Sequence, residues 1–295
     1  MEPLEPIPQC IDCLTSLARD VVALTAHEDP GLVEKAENIA RSFLKEAGYN
    51  GSSSPRIANR ILREIRRITG IADPYQEFKA REMDQARRIF SQLPDGITDD
   101  LRSGIKLAAL GNSLDFFKEP RLALADIPHQ FDNGISFYRD NQAQLEAFLA
   151  QKPDRILYLT DNAGEIYFDI PFYDYLAQSS RQTYLVVKGG PALNDLTRLE
   201  LQAANLTNRF KAVADTGTDG AGIDWDHVSV DFLNLVDSAD LIISKGMANF
   251  ETLYPSRITA PSFYLFKVKC EPIQNYIKAP VNSFMAIWKD GRLDE

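Results

Sequence analysis

The hydrophobic positions of this chain change period near residue 150. Before that point apolar residues recur at helical spacing. The first set is Cys10, Cys13, Leu14, Leu17, Val21 and Leu24; the second, after Pro30, is Val33, Ala36, Ile39, Ala40 and Phe43. A loop from Asn50 to Pro55 follows, and Ile57, Ile61, Leu62, Ile65 and Ile68 resume the pattern. Asp73-Pro74 predicts the cap and first position of a helix running to about Leu93. Thr98-Asp99-Asp100 predicts the cap of a helix from Leu101 to about Phe116. Residues 120–128 read as irregular, and 134–149 as the last helix of this half.

From Asp154 onward, short β-branched and aromatic runs alternate with helical patterns. The runs are 155–160, 183–188, 209–213, 240–245, 262–267 and 283–288, with helical stretches at about 165–178, 195–205, 231–238, 248–254 and 271–278. This alternation predicts βαβ units on a mostly parallel sheet. The expected fold is α/β: a three-layer α/β/α core over residues 153–295, preceded by an all-helical N-terminal region over residues 1–152. The boundary near 150–154 carries no long or flexible tract, and no internal repeat is present.

Composition narrows the function. The 295 residues carry a net charge of -10, which argues against nucleic acid as a partner. It is compatible with a small phosphorylated substrate, because a metal and one or two lysines can set the local field. No apolar run approaches the roughly 20 residues that cross a bilayer. The start, Met1 to Pro6, is acidic and Pro-rich and has no basic or apolar signal region, so a cytoplasmic location is expected. The odd count of three cysteines, Cys10, Cys13 and Cys270, argues against a disulfide scaffold.

Candidate chemistry gathers at the predicted strand ends. Asp161-Asn162 follows the apolar run 156–159, with Gly164 and Glu165 just beyond. Lys188-Gly189-Gly190-Pro191 with Asn194-Asp195, the Gly-rich stretch Thr216 to Gly222, Lys245 to Glu251, and Lys267 with Lys269 end the next strands. Any one polar strand end is ordinary in a wet loop. In a parallel sheet, however, these ends share one edge, where open α/β proteins bind ligands. Carboxylates, amides and lysines over one crevice suit a metal-bridged phosphate. No Walker-type run and no Gly-x-Gly-x-x-Gly follows a strand, which weakens nucleotide readings.

These residues resemble the damage-control phosphatase family. The resemblance is carried by Thr-Asp-Asn-Ala-Gly-Glu at 160–165, Pro-x-x-Asn-Asp at 191–195, Thr-Gly-x-Asp-x-x-Gly at 216–222, Lys-Gly-x-x-Asn-x-Glu at 245–251 and Lys-Cys-Glu at 269–271. Cys10-Ile11-Asp12-Cys13, Asp73-Pro74-Tyr75 with Lys79, and Gly111-Asn112-Ser113-Leu114-Asp115 are similar to its cysteine-containing, mostly prokaryotic subfamily. One departure is Asp84, where the pattern leads one to expect Asn.

The resemblance implies a divalent-metal-dependent phosphatase of small phosphorylated metabolites, damaged or side-product compounds included. The helical half would roof a crevice in a Rossmann-like core. Position by position, it makes Asp161, Asn162 and Asp195 the metal ligands and Glu165 a neighbour of the metal. The stretch Lys245, Gly246 to Asn249 would bind phosphate, with Lys269 a second cationic contact and Asn112 and Asp115 facing the substrate. Two carboxylates and one amide form the incomplete oxygen cage that Mg²⁺ prefers, and Mn²⁺, Co²⁺ or Ni²⁺ would fit as well. Water activated by the metal and a carboxylate is the favoured nucleophile, with Asp161 itself the alternative. The helix opening at Glu165 would turn free N–H groups toward the same anion.

Two other readings stay open on the residues. One is an S-adenosylmethionine-dependent carboxyl methyltransferase, although the early Gly-rich turn such a site uses is missing. The other is a non-enzymatic thiol or metal-binding module built on Cys10, Cys13 and Cys270, with a zinc site completed by His27, His129 or His227.

Overall fold

The computed structural model describes residues 8–25, 29–47, 53–93, 100–113 and 135–291. The N-terminal part supplies helices α1 (Pro8–Leu24), α2 (Pro30–Ala47), α3 (Ser54–Thr69), α4 (Gln76–Phe90) and α5 (Leu101–Ser113). A short strand β1 (Phe137–Asp140) and helix α6 (Gln142–Leu149) lead into the α/β part. There β2 (Arg155–Leu159), α7 (Ile166–Ser179), β3 (Gln182–Val187), α8 (Arg198–Ala203), β4 (Val213–Asp215) and α9 (Val230–Asp237) follow in order. They are succeeded by β5 (Leu241–Lys245), α10 (Met247–Leu253), β6 (Ser262–Lys267), α11 (Glu271–Ile277) and β7 (Phe284–Lys289).

The seven strands lie in the order β1-β7-β6-β5-β2-β3-β4. Strands β2 to β6 are parallel, and β7 joins β6 antiparallel with β1 parallel to it at the edge. Alternate residues of the strands feed two apolar layers, as the pleat requires. Ile156, Tyr158, Leu241 and Ile243 pack with α4, α5 and α7 on one face, and Leu157, Leu159, Ile242 and Tyr264 with α9, α10 and α11 on the other. The expected α/β/α layering is thus present. Helices α4 and α5 belong to the first layer, packed in one cluster with the sheet.

Helices α1, α2 and α3 bury their own cluster around Ala18, Val21, Ala36, Ile57 and Ile61. Helix α3 latches this cluster to the Gly-rich loop after β4. Asn59 donates to Ala221 O at 3.2 Å and accepts from Ala221 N at 2.8 Å. Arg63 pairs with Asp219 and Asp224, and Arg66 with Asp219.

Three local expectations are corrected. Residues 137–140 form a strand where the spacing predicts helix. Phe137 lies opposite Phe284 with the rings edge to face, and Asn141 completes the ladder by donating its N–H to Ala286 O and accepting from Trp288 N. This pairing across the chain overrides local periodicity. Strand β4 is Val213–Asp215, and Arg209 instead ends a 3-10 turn and pairs with Asp174. Helix α4 starts at Gln76, because Asp73 Oδ1 accepts from Tyr75 N in a turn that also holds Pro74. Among the described residues no helix is long and apolar enough to cross a membrane.

Candidate active site

The chain runs β2 to β3 to β4 on one side, then returns to place β5 on the other side of β2. The crevice between the ends of β2 and β5 is therefore the topological switch point of the sheet. Asp161 and Asn162 leave the end of β2 there, and Gly246 leaves the end of β5. Gly246 has a φ of +83°, and its backbone passes directly against the Asp161 carboxylate.

The turn after β3 completes the wall. Asn162 and Asp195 form an antiparallel bridge, Leu196 N donates to Asp161 O at 2.9 Å, and Ala163 N to Asn194 O at 2.8 Å. These bonds bring Asp161, Asn162 and Asp195 together, as the sequence leads one to expect. Asn112, at the end of α5, donates Nδ2 to both Asp161 Oδ2 and Glu165 Oε1 at 2.8 Å. Its Oδ1 accepts from Lys267 N at 3.2 Å, so one amide ties α5 to the ends of β2 and β6. Asn162 Nδ2 donates to Glu165 Oε1 at 2.8 Å, which leaves its carbonyl Oδ1 as the end able to act as an oxygen donor.

The electrostatics are those of crowded buried carboxylates. Burial pushes Asp161 up to about 8, with Glu165 and Asp195 adding to the rise and Lys269 and Lys245 opposing it. Asp195 is also raised, by burial first, against the pull of Lys188. Lys188 Nζ stands 3.5 Å from Asp195 Oδ2, and this long ion pair is the one polar contact of that buried oxygen among the described residues. A buried carboxylate oxygen held only by a long ion pair, beside a second buried carboxylate and an amide oxygen, is a donor set that fits a hard divalent cation. Among the described residues no group of three or more His, Cys, Asp and Glu side chains is arranged around a common metal position. The set here has two carboxylates and an amide.

Lys245 occupies a different place from the one expected of a free phosphate ligand. It is fully buried and donates to Ala108 O at 2.9 Å, Glu165 Oε2 at 3.1 Å and Asp169 Oδ1 at 2.5 Å. Burial works against its charge, but Asp169 and Glu165 outweigh it and raise its pKa. Its parity in β5 matches Leu241 and Ile243, so its side chain emerges toward α5 and α7. Asn249 is equally engaged: it donates to Thr160 O and Lys245 O and accepts from Lys188 Nζ at 3.1 Å. Lys269 is exposed, close enough to lower the Asp161 pKa. Asp115 lies outside the described residues.

The N–H groups at the opening near Glu165 are not free. Ala163 N donates to Asn194 O, Glu165 N to Asn162 O and Ile166 N to Ala163 O, and Gly164 lies packed under Glu82. The anion-facing role expected for this turn is corrected accordingly, since its donors are spent on holding the turn.

The three cysteines are free and lie in electrostatic reach of one another and of Glu251. Cys10 is buried, Cys13 exposed, and Cys270 the half-buried cap of α11. A zinc site completed by histidine is not assembled among the described residues. His227 instead pairs with Asp224 at 3.0 Å, and His27 and His129 lie outside the described residues.

The family model described as the damage-control phosphatase ARMT1-like domain matches residues 7–283. The chain belongs to this family. A damage-control phosphatase of Pyrococcus horikoshii is 29% identical over 286 residues, covering 95% of this chain and 96% of the relative. A damage-control phosphatase of Archaeoglobus fulgidus is 27% identical over 287 residues, covering 95% and 97%. The crystal structure of a DUF89 family protein from Pyrococcus horikoshii matches with a TM-score of 0.86 at 27% identity, over 96% of this chain and 98% of that one.

In this member of the damage-control phosphatase family, one residue beside the site escaped the sequence reading. Glu82 of α4 is buried against Gly164 and accepts from Asn194 Nδ2 at 3.3 Å. Burial pushes it up to about 8, with Glu165 and Asp161 contributing. The run 81–88 reads as a solvated charged face, and Arg87 and Arg88 do pair with Asp84 in solvent. The available signal was finer: Lys79 and Glu82 share the stripe of Met83, Ala86 and Ile89, so two charges sit on a buried face.

Proposed function

We propose that this chain is a divalent-metal-dependent phosphatase of small phosphorylated metabolites, with Asp161, Asn162 and Asp195 holding the cation. Membership in a phosphatase family supports hydrolysis of phosphoric monoesters. The observation that carries the metal reading is the pairing of Asp161 with Asp195, two buried carboxylates both raised in pKa, one with an oxygen met only by Lys188 at 3.5 Å among the described residues. Such a pair is unfavourable unless it meets a cation or keeps protons.

When bound, a divalent cation supplies Lewis-acid polarisation of the phosphoryl group and makes a neighbouring water more acidic. The chain's own residues do the rest. Asn112 fixes the Asp161 carboxylate and Glu165 relative to each other. Lys245 offsets the charge of Glu165 and Asp169. Lys188 does the same for Asp195 from the opposite side. The amides that open α10 have no acceptor within the helix and start beside Asp161, where they can receive phosphoryl oxygens. Lys269 adds an exposed positive charge at the mouth. Positioning and electrostatics of this kind carry most of phosphoryl transfer.

The test is release of phosphate from p-nitrophenyl phosphate and a panel of sugar and nucleoside monophosphates, with Mg²⁺, Mn²⁺, Co²⁺ or Ni²⁺ supplied. Metal-dependent turnover that disappears in Asp161→Ala is expected. Full activity in that variant, or turnover indifferent to chelator, would sink the proposal.

A further inference from the structure

Helix α4 presents Lys79 and Glu82 three residues apart, on one face and buried. Lys79 Nζ lies 2.7 Å from Glu200 Oε1, and Glu200 closes the capping box that begins α8. Glu82 accepts from Asn194 Nδ2. One turn of α4 thus grips the segment 194–200 at both ends, and Asp195 lies inside it. The same Glu82 side chain packs on Gly164 in the turn that follows Asp161-Asn162. The approach is close enough that a Cβ at 164 would stand 2.6 Å from Glu82 Cγ. Backbone bonds already join these two segments on one side, through Ala163 to Asn194 and Leu196 to Asp161. Glu82 joins them on the other.

Packing alone does not account for a carboxylate here. Glu82 has a neutral donor, Asn194 Nδ2, and no ion-pair partner among the described residues. A buried acid so placed is less stabilising than an apolar side chain of the same volume. What it offers instead is one directed acceptor bond to the Asn194 loop from a side chain that packs on the Gly164 turn.

We infer that Glu82 is a positioning residue that sets the spacing between the Asp161-Asn162 turn and Asp195, and so the fit of the site to a divalent cation. The inference rests on the metal reading above. Residues that orient ligands in this indirect way typically alter metal affinity about 10- to 100-fold when removed.

The experiment is Mn²⁺ binding by calorimetry and by the spin-resonance signal of free Mn²⁺, on full-length wild type, Glu82→Ala, Glu82→Gln, Asn194→Ala and the Glu82→Ala/Asn194→Ala pair. Glu82→Ala is expected to weaken Mn²⁺ about 10- to 100-fold. Glu82→Gln, which keeps the length and one acceptor oxygen, is expected to recover most of that loss. The double variant should be little worse than Glu82→Ala, because both changes cut one bridge. Unchanged Mn²⁺ affinity in Glu82→Ala overturns the inference while wild-type binding keeps the metal reading. Equal losses in Glu82→Gln and Glu82→Ala also overturn it, since charge and not position would then matter. Wild type that takes up no Mn²⁺ overturns both. Should Glu82→Ala fail to fold, Asn194→Ala removes the same bridge from the loop side and decides the matter with the same readings.

Discussion

Gly246 lies against Asp161 so closely that a Cβ at position 246 would stand 2.0 Å from Asp161 Oδ2. The contact joins the end of β5 to the end of β2 at the point where the sheet order reverses. Its positive φ adds a second demand that only glycine meets without strain. Gly246→Ala is expected to lose metal-dependent phosphate release, because the Asp161 carboxylate must move. Backbone strain alone costs about 1–3 kcal/mol. Urea unfolding together with the phosphatase assay checks both effects, and a fully active variant would contradict the geometry.

Lys245 stands between Glu165 and Asp169, and all three are buried. Lys245→Met leaves two carboxylates without their cation, and breaking such a buried pair costs about 3–5 kcal/mol. Adding Asp169→Asn should restore part of the stability, since one of the stranded charges is then neutral. Chemical denaturation of the single and double variants measures this. Equal stabilities of Lys245→Met and wild type would show that the ion network contributes nothing.

Glu251 gives the protein a stability dependence on pH. Burial alone pushes this carboxyl from 4.5 up to about 8. A raised carboxyl keeps its proton in the native state after the unfolded chain has lost it. Its contribution is therefore full below about 4.5 and is lost as pH rises toward about 8, after which it stays constant. Glu251→Gln should flatten the stability profile between pH 5 and 8, and at pH 8 it should be more stable than wild type by a few kcal/mol. Denaturation midpoints across this range check the sign. A variant whose profile parallels that of wild type rules the assignment out.

The thiols should be sluggish. Burial pushes Cys270 up to about 11, and Cys13, exposed on one side, is raised by partial shielding from water and by Cys10 nearby. The reactive species is the thiolate, so alkylation by iodoacetamide at pH 8 should run at least about tenfold slower than for a free thiol. Unfolding in urea should abolish the difference. Rapid labelling of native Cys270 would point instead to a reactive thiol.

Much of the fold was legible because its signals are local. The apolar run Ile156 to Leu159 and the run Ser262 to Lys267 are buried strands, bounded by the polar residues that end them. The strand-to-helix alternation of the second half follows from patterns a few residues long. The pairing of Asp161-Asn162 with Asp195 was legible for a related reason: parallel strands align their ends on one edge, so residues at those ends meet.

What the sequence could not decide was direction and partner. Lys245 ends β5 like a crevice residue, yet strand parity sends it under α5 and α7 to Glu165 and Asp169. Glu82 sits in a run of charges, and only the docking of α4 on Gly164 and Asn194 distinguishes it from its solvated neighbours. Residues 137–140 have no strand partner until β7 arrives, nearly 150 residues later. Local spacing fixes which residues share a face, because backbone geometry sets that period. Which face meets which carboxylate depends on packing between distant segments, and only the tertiary structure settles it.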